Sequence, residues 1–104
     1  QPVVLENGRV KLDVIAQQAS IDGQPIHLTP IEFKLLFIMM SNAGKVMPKN
    51  DMFFEVWGYE FIGGTNLVEV TVRRLREKIE PDPSQPTYLL TVRGAGYRFR
   101  SAAE

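Results

Sequence analysis

The side chains best suited to specific recognition lie on a segment whose spacing predicts a helix, residues 66–79. Four apolar residues of this segment share one narrow stripe that must face a core: Val68, Val72, Leu75 and Ile79. At about 100° per residue, the opposite face carries Asn66, Val70, Arg73 and Glu77, with Arg74 beside it. Arginines, an amide and a small apolar group are the set that reads base edges in a DNA major groove. The pattern therefore favours nucleic-acid recognition.

A second candidate is Arg93, which precedes Gly94 in a tight corner of a predicted β-hairpin, residues 87–100. A thin hairpin with an arginine at its tip can enter a minor groove, because a narrow groove attracts guanidinium groups. The two candidates would then read two different grooves.

The same residue types also suit simpler structural roles, which the sequence leaves open. Glu69, Arg73 and Glu77 are spaced i, i+4 and i+8, so Arg73 could simply be ion-paired on a solvated helix. Val70 could contact a protein, and Arg93 could only make a turn more polar. Trp57 is typical of a core residue, and His27 of an ordinary edge residue.

The net charge of zero argues at first against a polyanionic partner, but it averages two unlike regions. Residues 71–100 contain seven basic and three acidic residues, whereas the first sixty contain five basic and seven acidic ones. The basic surplus therefore coincides with the predicted helix and hairpin.

Catalysis is not expected from this sequence. It has no Cys, a single His, no nucleophile elbow and no phosphate-binding loop. Gly94-Ala95-Gly96 lies in a hairpin corner and not at a strand-to-helix junction, so it is no dinucleotide fingerprint. We expect no metal site and no cofactor.

The elements that would position these residues predict one α+β domain spanning residues 1–104. Alternating polar and apolar residues in residues 3–28 predict a meander of three or four short strands, and residues 29–80 are predicted to contain three helices. Thr29 and Glu32 form a capping-box pattern, Pro48 opens the second helix, and Asn66 with Glu69 marks the start of the third. The longest apolar run has six residues and no signal peptide is visible, so we expect no membrane span and a cytoplasmic location.

Four motifs stand in this order along the chain: residues 28–33 (LTPIEF), 55–58 (EVWG), 68–80 (VEVTVRRLREKIE) and 91–99 (TVRGAGYRF). In sequence and spacing they resemble the DNA-binding (effector) domain of OmpR/PhoB-type response regulators, over residues 3–100. The resemblance implies a winged helix-turn-helix fold, with an N-terminal antiparallel sheet, three helices and a C-terminal hairpin as the wing.

The resemblance also implies site residues. On the recognition helix, those facing DNA would be Asn66, Leu67, Val70, Thr71, Arg73, Arg74 and Arg76, with Arg76 on a phosphate. Lys49 and Trp57, at the two ends of the second helix, would touch the DNA backbone. Thr91, Arg93 and Tyr97 would belong to the wing, with Arg93 in the minor groove. Two departures from the family's pattern are Asn66-Leu67, where many relatives carry a strong donor, and Pro48, which replaces a Ser or Thr cap.

Partners follow from the same resemblance. The loop that would meet RNA polymerase comprises Gly58, Tyr59, Glu60, Phe61, Ile62, Gly63 and Gly64, although its bulky side chains could instead pack on the core. The expected DNA is a pair of tandem half-sites, about 10–11 bp apart. A phosphorylatable receiver domain would complete the full-length protein, and a sensor histidine kinase would act through it. The alternative function is a protein-interaction winged helix that has lost DNA binding.

Overall fold

The computed structural model describes residues 3–59 and 66–103. It begins with a four-stranded antiparallel sheet of sequential strands, β1 (Val4–Asn7), β2 (Val10–Asp13), β3 (Gln18–Ile21) and β4 (Gln24–Ile26). The turn between β3 and β4 places Asp22 and Gly23 at positive φ, as expected for a tight hairpin. The predicted meander is confirmed, with four strands.

The first helix, α1 (Pro30–Ser41), begins where the capping-box pattern predicts. The Thr29 hydroxyl accepts from the Glu32 amide at 3.2 Å, and the Glu32 carboxylate accepts from the Thr29 amide at 3.0 Å. Leu35, Leu36 and Met39 are fully buried, while Phe37 is only partly buried. α1 contacts the N-terminal sheet and both other helices, so its apolar surface is wider than one stripe.

The second and third helices are α2 (Lys49–Trp57) and α3 (Leu67–Ile79). Pro48 lies one residue before α2, at the N-cap, and Gly58 ends α2 in the left-handed conformation. Asn66 occupies the N-cap position of α3 as predicted, but its side chain makes no capping hydrogen bond. The predicted α3 stripe is confirmed: its four apolar residues are all buried.

The C-terminal hairpin consists of two strands that follow a short strand, β5 (Val46–Met47), which the sequence did not indicate. The hairpin strands are β6 (Leu89–Val92) and β7 (Gly96–Phe99), and β5 pairs with β7 to complete a three-stranded sheet in the order β5-β7-β6. Gly96 is required at this pairing, because a Cβ there would overlap the Met47 carbonyl group. The hairpin is thereby attached to the chain that leads into α2.

No helix in the described part of the chain is long and apolar enough to cross a membrane. The apolar core lies between the N-terminal sheet, the three helices and the base of the C-terminal hairpin. α3 buries one side in this core and leaves its other side at the surface, next to the hairpin.

Candidate nucleic-acid interface

The outer face of α3 presents the residues that the helical wheel placed there. Asn66, Arg73, Arg74 and Glu77 are exposed, Leu67 is 39% exposed, and Val70 is half-buried. Across residues 3–59 and 66–103, neither Arg73 nor Arg74 makes an ion pair or a side-chain hydrogen bond. Both guanidinium groups therefore face solvent with their donors available.

Glu69, which is spaced to pair with Arg73, forms an ion pair with another residue instead. Glu69 accepts from Lys49, at the start of α2, with 2.8 Å between Oε2 and Nζ. The hydrogen bond from Lys49 lowers the pKa of Glu69, and the same bond raises the pKa of Lys49. The i, i+4 pair between Glu69 and Arg73 therefore does not form, and Lys49 is held by a carboxylate.

Thr71 does not lie on the outer face, contrary to what the resemblance implied. It is only 7% exposed, and its hydroxyl donates to the Leu67 carbonyl at 2.7 Å, one turn earlier in the same helix. In the helical wheel Thr71 lies about 40° from Leu75 of the buried stripe, which is the physical reason for the correction.

Arg76 is directed toward the hairpin and not toward solvent. Its Nε donates to the Leu89 carbonyl at 2.9 Å and its Nη2 to the Thr91 hydroxyl at 2.8 Å. The guanidinium carbon also lies 5.7 Å from the centroid of the Tyr97 ring. Burial lowers the pKa of Arg76 and raises that of Tyr97. Arg76, Thr91 and Tyr97, all predicted to contact DNA, thus form one cluster that joins α3 to both strands of the hairpin.

The tip of the hairpin carries Arg93 at an exposed corner. Gly94 adopts a φ of +75°, and the Ala95 amide donates to the Val92 carbonyl at 3.0 Å, which closes the turn. A surface groove of about 340 Å³ separates the hairpin from the helices and is lined by Lys49, Glu69 and residues 91–97. The hairpin and α3 thus flank one open surface.

The end of α2 is divided between core and surface. The Trp57 ring is partly buried and stacks on Phe53, with 5.1 Å between centroids and 15° between planes. The placement favours the interpretation of Trp57 as a core residue. Tyr59 is 54% exposed, with the edge of its ring against Phe53. Of the predicted polymerase loop, only Gly58 and Tyr59 are described; Glu60, Phe61, Ile62, Gly63 and Gly64 lie outside the described residues.

Comparison with known proteins decides the family. Residues 23–99 match the family described as "Transcriptional regulatory protein, C terminal". The chain belongs to this family. Among curated relatives of this regulator domain, the sensory transduction protein RegX3 of Mycolicibacterium smegmatis is 45% identical over 96 residues. The DNA-binding response regulator MtrA of Mycolicibacterium paratuberculosis is 44% identical over 89 residues. These matches cover 92% and 86% of the chain, but only 42% and 40% of those relatives.

Solved structures agree with the winged-helix fold. The RstA DNA-binding domain of Klebsiella pneumoniae, solved in complex with the RstA box, superposes with a TM-score of 0.87 at 26% identity, over 93% of this chain and 96% of that one. The OmpR/PhoB homologue DrrB of Thermotoga maritima gives 0.88 at 30% identity, over 97% and 46%. The DNA-binding domain of CpxR from E. coli gives 0.86 at 30% identity, over 98% and 99%. The resemblance to OmpR/PhoB effector domains is confirmed.

Three tertiary contacts of this regulator domain were not predicted from the sequence. Lys49 pairs with Glu69, Arg76 bonds to the hairpin, and Lys78 pairs with Glu32 of α1 at 2.5 Å. The sequence carries a signal for the last of these: Arg74 and Lys78 are like charges at i and i+4, which an opposite charge elsewhere can relieve. The other two join residues from separate elements, and no local spacing reports them.

Proposed function

We propose that this domain binds double-stranded DNA in a sequence-specific manner, with α3 in the major groove and the hairpin as a wing in the minor groove. It would act as the effector domain of a two-component response regulator and control transcription. The observation that carries the proposal is the exposure of Arg73, Arg74 and Arg93 around one surface, none of them with a partner among the described residues. RstA, a structural neighbour, was solved bound to its DNA box.

Within this proposal the exposed residues of α3 have separate roles. Arg73 and Arg74 donate to guanine edges or phosphates, and Val70 contacts a thymine methyl group. Asn66 and Leu67 meet the DNA at the start of the helix, and Arg93 enters the minor groove. Lys49 contacts the DNA backbone once a phosphate replaces Glu69. Tandem half-sites, a receiver domain and a sensor histidine kinase remain predictions from the family resemblance.

A selection from random duplexes by the purified chain tests the proposal and shows whether half-sites repeat at about 10–11 bp. We expect Arg73→Ala and Arg74→Ala each to reduce the preference for the selected over a scrambled duplex by about 1–3 kcal/mol, because a base contact is lost. Fluorescence anisotropy over a series of salt concentrations measures both affinities.

Lys34→Ala is the matched control, because it removes an exposed basic residue from α1, away from this surface. It is expected to change both affinities little and equally. If both arginine variants kept the full preference, α3 would not be the reading helix. Salt-independent binding to a protein, with no retardation of any duplex, would favour the alternative protein-interaction function.

We also propose that the segment 58–64 contacts RNA polymerase. The support is the exposed ring of Tyr59 directly after the end of α2, together with Phe54 of α2, whose side chain is also exposed. We expect Tyr59→Ala to reduce capture of purified RNA polymerase while duplex affinity stays unchanged, because Tyr59 lies outside the DNA-reading surface. Unchanged capture would contradict this contact.

A further inference from the structure

The side chain of Arg76 uses two of its five N–H donors on the hairpin. Nε donates to a main-chain carbonyl of β6, at Leu89, and Nη2 donates to the hydroxyl of Thr91 on the same strand. The planar fork of a guanidinium can make both bonds at once, which the single ammonium of a lysine cannot reproduce. A guanidinium fixed at two points on β6 therefore restrains that strand relative to α3.

The same guanidinium also contacts the second strand of the hairpin. Its carbon lies 5.7 Å from the ring centroid of Tyr97, and Tyr97 is the direct cross-strand partner of Thr91. One side chain of α3 therefore contacts a facing pair of residues, one on each strand. A contact with both strands restrains rotation of the hairpin about its long axis better than a contact with one.

The pairing of β5 with the hairpin ends at the same level. It joins Val46 to Arg98 and Met47 to Tyr97, so Tyr97 is the residue nearest the hairpin tip among those that pair with β5. Arg93 follows Thr91 by two residues, about 7 Å of extended chain. The cluster of Arg76, Thr91 and Tyr97, which we call the wing joint, thus lies where the supported part of the hairpin gives way to its tip.

We infer that Arg76 is a positioning residue that sets the angle between α3 and the wing, a role separate from the phosphate contact that the family resemblance implied. The inference rests on the proposed DNA-binding function, because the angle matters when α3 and Arg93 must reach two grooves of one duplex. The wing joint lets Arg73 and Arg74 engage bases at the same time as Arg93 engages the minor groove.

A double-mutant cycle between Arg76 and Arg93 tests this inference on the selected duplex. We expect Arg93→Ala to weaken binding about tenfold in the unaltered chain, and less than about twofold in the Arg76→Lys chain, where the wing no longer holds its angle. Arg76→Lys keeps the positive charge, so a simple phosphate contact would survive it and the two costs would add. Additive costs, or an unaltered chain indifferent to Arg93→Ala, would overturn the inference.

A second measurement needs no DNA. Residual dipolar couplings of the hairpin amides in the free protein report the angle between the wing and α3. Arg76→Lys and Thr91→Val are expected to rotate the wing, because each removes a bond of the wing joint. Unchanged couplings in these two variants would overturn the inference.

Two matched controls accompany this measurement. Thr91→Ser keeps the hydroxyl, and Arg74→Lys alters an exposed neighbour on α3, so both are expected to leave the wing angle unchanged. A rotation as large in these controls would also count against the wing joint. If no duplex is bound at all, the proposed function fails, and the couplings still decide the role of Arg76.

Discussion

The charged side chains of α3 differ in what they touch, although they stand close together in the sequence. Arg73 and Arg74 face solvent, while Glu69, Arg76 and Lys78 each reach a different neighbouring element. The three inward contacts end on α2, the hairpin and α1. Charge count alone therefore overstates how many basic groups of this helix are available to a partner.

At the residue scale, the Lys49–Glu69 pair predicts a variant with increased DNA affinity. Glu69→Gln removes a carboxylate next to the proposed backbone contact and with it the ion pair that Lys49 must break to reach a phosphate. We expect tighter binding to all duplexes by a similar factor, because Lys49 no longer has to leave Glu69 before it contacts a phosphate, and an unchanged log–log salt slope, because the number of neutralised phosphates stays the same. Anisotropy titrations at several salt concentrations measure both quantities.

Glu77→Gln is the matched control, because it removes one negative charge from the same helix at an exposed position. The change in duplex affinity of Glu77→Gln measures the effect of removing one negative charge from α3. Any larger gain in affinity in Glu69→Gln measures the effect of breaking the pair with Lys49. Equal gains in affinity in the two variants would show that the pair has no role in binding.

At the scale of elements, a largely buried ion pair joins α1 to α3. The Glu32 side chain is 5% exposed, and it accepts from Lys78 while it also caps α1 through Thr29. Burial raises the pKa of Glu32, but the bonds from Lys78 and Thr29 together lower it by more, so the pKa lies below its ordinary value of 4.5. The contribution to stability is therefore complete above the unfolded-state pKa and is lost as the pH falls through the folded-state pKa.

We predict that Glu32→Gln lowers the free energy of unfolding by about 1–2 kcal/mol at neutral pH, since the charge is lost while a glutamine keeps the capping geometry. The difference from the unaltered chain should shrink as the pH falls below the ordinary pKa of 4.5 and through the lower folded-state pKa, because Glu32 itself becomes protonated. Urea unfolding at each pH measures it. Glu55→Gln, at an exposed position of α2, is the control, and a pH-independent difference would be evidence against the charge as the cause.

At the scale of the whole molecule, the N-terminal sheet is fastened to the end of the chain. Asn7 donates to the Arg100 carbonyl and accepts from the Arg100 guanidinium, both at 2.9 Å. The Tyr88 hydroxyl accepts from the Arg9 amide, also at 2.9 Å. These bonds span most of the sequence and close the fold around α1. The sheet that leads the chain thus supports the same hairpin that carries Arg93.

The buried carboxylate of Glu80 stabilises the connection from α3 to the hairpin. Glu80 accepts from the amides of Thr87, Tyr88 and Leu89, at 2.8 to 3.2 Å. The end of α3 is thereby held against the start of β6. The distance between the reading helix and the wing depends on this bond set as well as on the wing joint.

The elements could be predicted from local patterns because their causes are local. Each of these patterns acts within a few residues: the capping box of Thr29 and Glu32, the spacing of the buried stripe that begins at Val68 on α3, and the glycines of the hairpin. The same holds for the exposure of Arg73 and Arg74, which follows from helical periodicity once the buried face is known. The prediction for Thr71 was wrong because it followed a family position, whereas the same periodicity turns this residue toward the core.

Short-range periodicity and recognisable motifs were enough to define the family, the order of all elements except β5, the two faces of α3 and the exposed arginines. Which charges stay available depends instead on the folded chain. Glu69 binds Lys49 across 20 residues and Arg76 binds β6 across 13, and such partners depend on how the elements are brought together. The difference between a basic residue that can reach DNA and one that holds the wing is therefore set by packing between elements, which no local spacing encodes.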